Sequence, residues 1–187
     1  MIRITCDGET YSVKYLLVCT GSDTVIPPIP GLSGVSYWTS KEALEIKELP
    51  KTLVIIGGGV IGMEFASFFT SLGVQVTVVE MLDEILGGMD KELSAMLRAE
   101  YAKKGIKFLL STKVVGVSKG ETGITVSYEN ADGAGTVTAD KLLMSVGRRP
   151  VTKGFGLENL NLEWTERRCI KVDEHLQSYV PGVYAVS

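Results

Sequence analysis

The chain has 187 residues, 45% of them hydrophobic and 22% charged, with a formal net charge of -3 at pH 7. Such a length suits one globular domain, or one domain with fragments of a second, and can bury a sizeable core. The acidic balance argues against a nucleic-acid groove, no apolar run reaches the ~18 residues a membrane helix needs, and no export signal is expected at the start.

In chain order, residues 2 to 6 alternate, Asp7-Gly8 signals a turn, and Tyr11 to Val18 read as a second strand closing on Thr20-Gly21-Ser22. Pro27-Pro28-Ile29-Pro30-Gly31 continues neither a helix nor a central strand and is expected to be a connector between domains. Thr39 or Ser40 caps a short helix through Ile46. The three cysteines, Cys6, Cys19 and Cys169, are odd in number and far apart, which fits reduced thiols in a cytoplasmic protein better than a disulfide framework. Cys19 lies in an apolar run and is expected to be a small core residue. His175 is the single histidine, so a His-rich metal site is excluded, and its polar surroundings place it on the surface.

From Thr52 the pattern becomes strand, glycine loop, helix, strand. Thr52 to Ile56 is short, apolar and β-branched, as a buried parallel strand requires. Val60 to Leu72 is apolar nearly all round and stops at Gly73. Val74 to Val79 is the next strand, ending in Glu80. Asp90 opens a further helix with Leu93, Met96, Leu97 and Tyr101 on one face, and Ile106 to Leu110 is a short strand. Residues 113 to 139 alternate at period two and predict an antiparallel meander of about three strands. Leu142 to Val146 returns as an apolar strand closing on Gly147-Arg148-Arg149-Pro150. The fold class is therefore α/β, a Rossmann-like βαβ dinucleotide-binding domain with a parallel sheet plus that meander. The stretch 15–21 echoes 141–147, each an apolar strand closing on glycine; many strands end so, and the alternative is two interleaved nucleotide-binding folds with the first present only in part. The tail ends on Val183 to Val186, a strand that implies a longer chain.

The loop Gly57-Gly58-Gly59-Val60-Ile61-Gly62 sits between a strand and a helix, where a dinucleotide fingerprint belongs. Gly57 permits the tight turn, Gly59 lets the backbone approach a pyrophosphate, and Gly62 lets the helix pack on the strand. The helix N-terminus offers N–H groups and a positive dipole end to phosphates. Glu80 lies 18 positions after Gly62, near the ~20 expected of the acid that bonds the adenosine ribose. A carboxylate there repels a 2′-phosphate, so NAD is expected over NADP, although FAD uses the same fingerprint. On spacing alone, Glu64 serves either the helix dipole or the nicotinamide end of the ligand. Arg148 and Arg149 follow a strand end, where ligand loops occur.

Gly57 to Ala66, then Val78-Val79-Glu80, then Ser145-Val146-Gly147-Arg148-Arg149-Pro150 resemble the flavin-dependent pyridine nucleotide–disulfide oxidoreductases, most nearly their dihydrolipoamide dehydrogenase branch. Thr20-Gly21-Ser22 resembles that family's exit from its FAD domain, and Val183 to Val186 the strand before its flavin-contacting Gly-Asp. The resemblance spans essentially the whole chain. It implies that Gly57, Gly58, Gly59, Val60, Ile61, Gly62, Met63 and Glu64 hold the NAD pyrophosphate, with Glu80 on the ribose. It places Val114 near the adenine, Gly147 near the nicotinamide, and Glu64 beside the nicotinamide in a pair with a lysine near the flavin. Thr20, Gly21 and Ser22 would touch FAD in a longer parent.

The chain departs from that pattern: it lacks the family's FAD fingerprint, its redox cysteine pair, the aspartate just beyond Ser187 and the dimerisation domain with its histidine–glutamate pair. It therefore reads as residues 1–36 and 151–187 of an FAD-binding domain flanking an NAD-binding domain at 37–150, unable to turn over by itself. The resemblance implies a homodimeric parent that oxidises a lipoyl-bearing protein of 2-oxo acid dehydrogenase or glycine cleavage complexes, with neither nucleic acid nor membrane as partner. A non-catalytic NAD-sensing module is the alternative from another class. Another flavin disulfide reductase, an NADH oxidase or a transhydrogenase is the alternative within this one.

Overall fold

In a computed structural model that describes residues 1–186, the chain forms two compact units, residues 24–147 and residues 1–23 with the tail from Arg148. Ser187, the last residue of the expected returning segment, lies outside the described residues. The strands and helices in chain order begin with β1 (Ile2–Cys6), β2 (Glu9–Val13), β3 (Leu16–Val18), β4 (Ser22–Thr24), α1 (Ser40–Leu44), β5 (Thr52–Ile56) and α2 (Val60–Ser71). They continue with β6 (Gln75–Val79), α3 (Lys91–Lys103), β7 (Lys107–Leu109), β8 (Lys113–Lys119), β9 (Ile124–Asn130), β10 (Gly133–Ala139), β11 (Lys141–Met144), β12 (Arg148–Pro150) and β13 (Val183–Ala185).

The larger unit is built on a four-stranded sheet of order β11-β5-β6-β7, all parallel. Its strands read as unbroken apolar runs because both faces are covered. Leu53, Ile55, Val76, Val78 and Leu143 point to the helical side, where Met63, Phe65, Ala66 and Phe69 of α2 pack on them. Val54, Ile56, Leu142 and Met144 point to the opposite side, against Val117, Ile124, Val126 and Ala139. Those residues belong to the antiparallel meander β10-β9-β8, as the period-two pattern predicts. At the edge where β5 and β11 begin, Asp140 accepts from the N–H groups of Lys51 and Thr52, both at 2.9 Å. These bonds hold its carboxyl below the usual aspartate range.

The proline connector belongs to this unit, so the expected break after residue 36 falls inside it. Pro30 accepts a hydrogen bond from the Val117 N–H at 2.8 Å, and Leu32 is buried in the meander-side core. Thr39 does cap α1, through a full capping box with Glu42, and the helix ends at Leu44, shorter than expected. The face expected on α3 is divided. Leu97 and Tyr101 pack on the core, whereas Leu93 and Met96 are 60% and 61% exposed and Ser94 takes the inward position. A 3.6-residue period admits either grouping, and packing selects the one centred on residues 94, 97 and 101.

The smaller unit holds the hairpin β1–β2 and the parallel pair β3–β13. The single strand expected over 11–18 is interrupted at Lys14 and Tyr15, and its halves join different sheets. The echo between 15–21 and 141–147 has a structural counterpart, since β3 and β11 each lie in a parallel pairing. Val18, Leu157, Leu162 and Val183 form the buried centre of this unit. Cys19 is exposed, contrary to the expectation of a core residue. Residues alternate across a strand, so burial of Val18 turns its neighbours to the other face, and Leu17 is likewise exposed. His175 is on the surface, as expected.

Candidate nucleotide-binding site

The site lies where the sheet changes direction. From β5 the chain moves outward through β6 to β7, then returns to lay β11 on the other side of β5. In open α/β sheets, ligands bind at the carboxyl ends of the strands at this switch point. The glycine loop leaves β5 there, with Ser145 directly beside it: the Ser145 N–H donates to the Ile56 carbonyl at 2.8 Å.

The three fingerprint glycines have separate physical causes. Gly57 has φ 108°, in the left-handed region, and a side chain on it would collide with the Ser145 backbone. At Gly62 a Cβ would strike the Gly57 carbonyl, so the helix can lie this close only without one. At Gly59 a Cβ would meet nothing within 4 Å. Its φ of -72° is open to any residue, so neither the chain's own packing nor its backbone demands glycine there. Val60, the first residue of α2, is 58% exposed, and N–H groups of a first helical turn have no partner within the helix.

Glu80 ends β6 with its carboxylate against the loop. One oxygen accepts from the Gly58 N–H at 2.5 Å, the other from the Leu82 N–H at 2.8 Å. The Thr112 N–H donates to the Glu80 carbonyl at 2.9 Å, which fixes the start of β8 and thereby half-buried Val114 two residues on. Gly147 is exposed two residues past Ser145. Glu64 is exposed on the first turns of α2, and its neighbour Met63 is buried in the core. The structure thus gathers the sequence-predicted residues 57–64, Glu80 and Gly147 around the carboxyl ends of β5, β6 and β11.

Thr20, Gly21 and Ser22 lie in the smaller unit. The Thr20 hydroxyl donates to the Val151 carbonyl at 2.5 Å, and the Ser22 hydroxyl accepts from the Arg148 guanidinium at 2.8 Å. Both side chains therefore tie the outgoing chain to the returning one. Thr20 and Gly21 line a cleft of about 420 Å³ with Val18, Pro150, Ile170 and Ala185.

Sequence reasoning missed the segment between β6 and α3. Ile85 is 1% exposed and packs on Gly58, and the Leu86 N–H donates to the Gly58 carbonyl at 2.8 Å. Glu84 takes both arms of the Arg98 guanidinium, at 2.8 and 2.9 Å. That contact holds the Glu84 carboxyl below the usual glutamate range and raises Arg98. The 14-residue separation of the pair matches no local motif that could have announced it. Among the described residues, no helix is long and apolar enough to cross a membrane.

A parallel sheet with a glycine loop and a terminal acid at its switch point defines a dinucleotide-binding protein of the Rossmann type. A model of the pyridine nucleotide-disulphide oxidoreductase family matches residues 3–187, and the chain belongs to that family. It is 39% identical to a dihydrolipoyl dehydrogenase of Thermus scotoductus, over 98% of this chain and 40% of that one. It is 41% identical to a dihydrolipoyl dehydrogenase of Acholeplasma laidlawii, over 98% of this chain and 54% of that one. Among solved structures, the Cu(II) complex of the HOCl-induced flavoprotein disulfide reductase RclA from Escherichia coli superposes with a TM-score of 0.86. That match is 31% identical and covers 98% of this chain and 41% of the reductase. The chain thus spans about half or less of the length of each of these relatives.

Proposed function

We propose that residues 24–147 bind NAD(H) as the nucleotide-holding part of a dihydrolipoyl dehydrogenase. The observation that carries this reading is Gly59, a glycine that neither fold nor backbone requires, at the switch point of a parallel sheet. NAD supplies the nicotinamide ring that accepts hydride. The chain's own residues bind and orient it. Backbone N–H groups from Gly59 to Ile61 face the pyrophosphate, and the Glu80 carboxylate accepts from the adenosine ribose and excludes a 2′-phosphate. Val114 lies toward the adenine, Gly147 and Glu64 toward the nicotinamide, and in the longer protein Glu64 pairs with a lysine near the flavin.

In that longer protein the smaller unit forms part of the FAD site through Thr20, Gly21 and Ser22. There FAD and a disulfide would carry electrons from the dihydrolipoyl group of a lipoyl-bearing partner to NAD, and this chain's residues would only hold the cofactors. The relatives' names and the match along nearly the whole chain support this assignment. A homodimer and a cytoplasmic setting, in which Cys6, Cys19 and Cys169 stay reduced, complete the reading.

Calorimetric titration with NADH and NADPH tests it. Wild type binds NADH more tightly, and Glu80→Arg weakens or reverses that preference. Gly59→Ala lowers the unfolding midpoint only by the small amount that replacing a glycine N-cap costs, and lowers NADH affinity at least tenfold. Gly59→Ala binding NADH as wild type does would remove the basis of the proposal.

A further inference from the structure

Gly58 is gripped on both sides by residues outside the glycine loop. Glu80 takes the Gly58 N–H, and the Leu86 N–H takes the Gly58 carbonyl. A trans peptide is planar, with its C=O and N–H pointing in opposite directions. Holding the Gly58 carbonyl toward Leu86 therefore aims the Gly59 N–H the other way. The direction of that donor is set by residue 86.

Leu86 is an unusual residue to give this task. Its φ is 55°, in the left-handed region that non-glycine residues seldom adopt. Such a conformation persists only where its surroundings over-determine it. Two residues earlier, Glu84 is the anchor: its side chain is 12% exposed, it receives the Arg98 fork from α3, and it accepts from the Ile85 N–H at 2.9 Å. A bidentate, partly buried guanidinium–carboxylate contact fixes direction as well as distance. The nearby Lys91–Asp83 pair, with side chains 75% and 70% exposed, adds little.

We propose that Arg98 and Glu84 are positioning residues for the dinucleotide: their ion pair holds the Ile85–Leu86 turn, which in turn orients the Gly58–Gly59 peptide toward the pyrophosphate. The inference rests on the NAD(H)-binding reading above. Neither residue touches the ligand. Their effect reaches it through one hydrogen bond, from Leu86 to Gly58.

The test combines NADH titration with residue-resolved amide exchange of the whole 187-residue chain, on Arg98→Met and Glu84→Gln. In Arg98→Met, NADH affinity falls about five- to tenfold and the Leu86 amide exchanges at least tenfold faster, while the amides of β5 and β6 keep their protection. Glu84→Gln, whose amide oxygen keeps one of the two bonds from Arg98 while its NH2 cannot accept the other, falls between Arg98→Met and wild type in affinity and protection. Unchanged Leu86 protection in Arg98→Met overturns the proposal, as does faster exchange throughout β5 and β6 in both variants, which would make the pair a general staple. If wild type binds no NADH, the nucleotide reading fails, and the Leu86 exchange in Arg98→Met still decides whether the pair sets the turn.

Discussion

The two units solve the problem of burying a parallel sheet very differently. In the larger one, two cores of thirteen and ten buried residues sandwich four strands between helices and a meander. In the smaller one, four buried residues serve the two-stranded pair β3–β13, and Tyr15 and Leu17 are 71% and 58% exposed. Parallel strands are stable when covered on both faces, and two-stranded sheets are marginal alone. The glycine fingerprint stands on the sheet that is buried on both faces. The comparison teaches that one unit carries the architecture of a self-sufficient domain and the other does not.

Each unit has its own tryptophan, Trp38 in the larger and Trp164 in the smaller, so fluorescence can follow them separately in Trp164→Phe and Trp38→Phe backgrounds. Phe69→Ala removes a fully buried ring and lowers the stability reported by Trp38 by about 3–5 kcal/mol. Val183→Ala lowers that reported by Trp164 by about 2 kcal/mol. If both variants shift both reporters equally in urea, the contrast between the units is broken.

A smaller effect sharpens the description of the larger unit. Asp140→Ala removes two charge-assisted hydrogen bonds at the start of the sheet and costs roughly 1.5–3 kcal/mol at neutral pH. The folded carboxyl is depressed, so its contribution is complete above the unfolded value of about 3.9 and disappears as pH falls through the folded one. The wild-type Trp38 transition therefore weakens below about pH 4, and that of Asp140→Ala weakens less. Equal slopes in the two proteins would remove Asp140 as the cause. The smallest effect is at the connector: Thr39→Ala breaks the capping box and costs about 1 kcal/mol of the Trp38 transition.

The larger unit was legible because its signals are local. β5 is apolar at every position after Thr52, the glycines follow at once, and Glu80 closes the next strand. The meander announced itself by period two. Long-range packing hid the rest. Nothing near Cys19 in sequence says that only one face of β3 is covered. Nothing on α3 says that Ser94 rather than Leu93 turns inward. Arg98 and Glu84 meet across a turn whose key residue is a leucine in a conformation its own chemistry disfavours, and no sequence rule points there. Ser145 was in view as part of a motif. Its task, walling the glycine turn with its backbone, appears only once β11 lies beside β5.

Gly57, Gly59 and Gly62 are spelled alike but answer to different pressures. A library of variants sorted only for folded protein would discard side chains at 57 and 62, where the chain would collide with itself. It would retain nearly any residue at 59, where the backbone is ordinary and the space is open. Sorting the same library for nucleotide capture would restore glycine at 59. Two of the three glycines are a record of architecture, and the middle one is where the proposed nucleotide site would leave its mark.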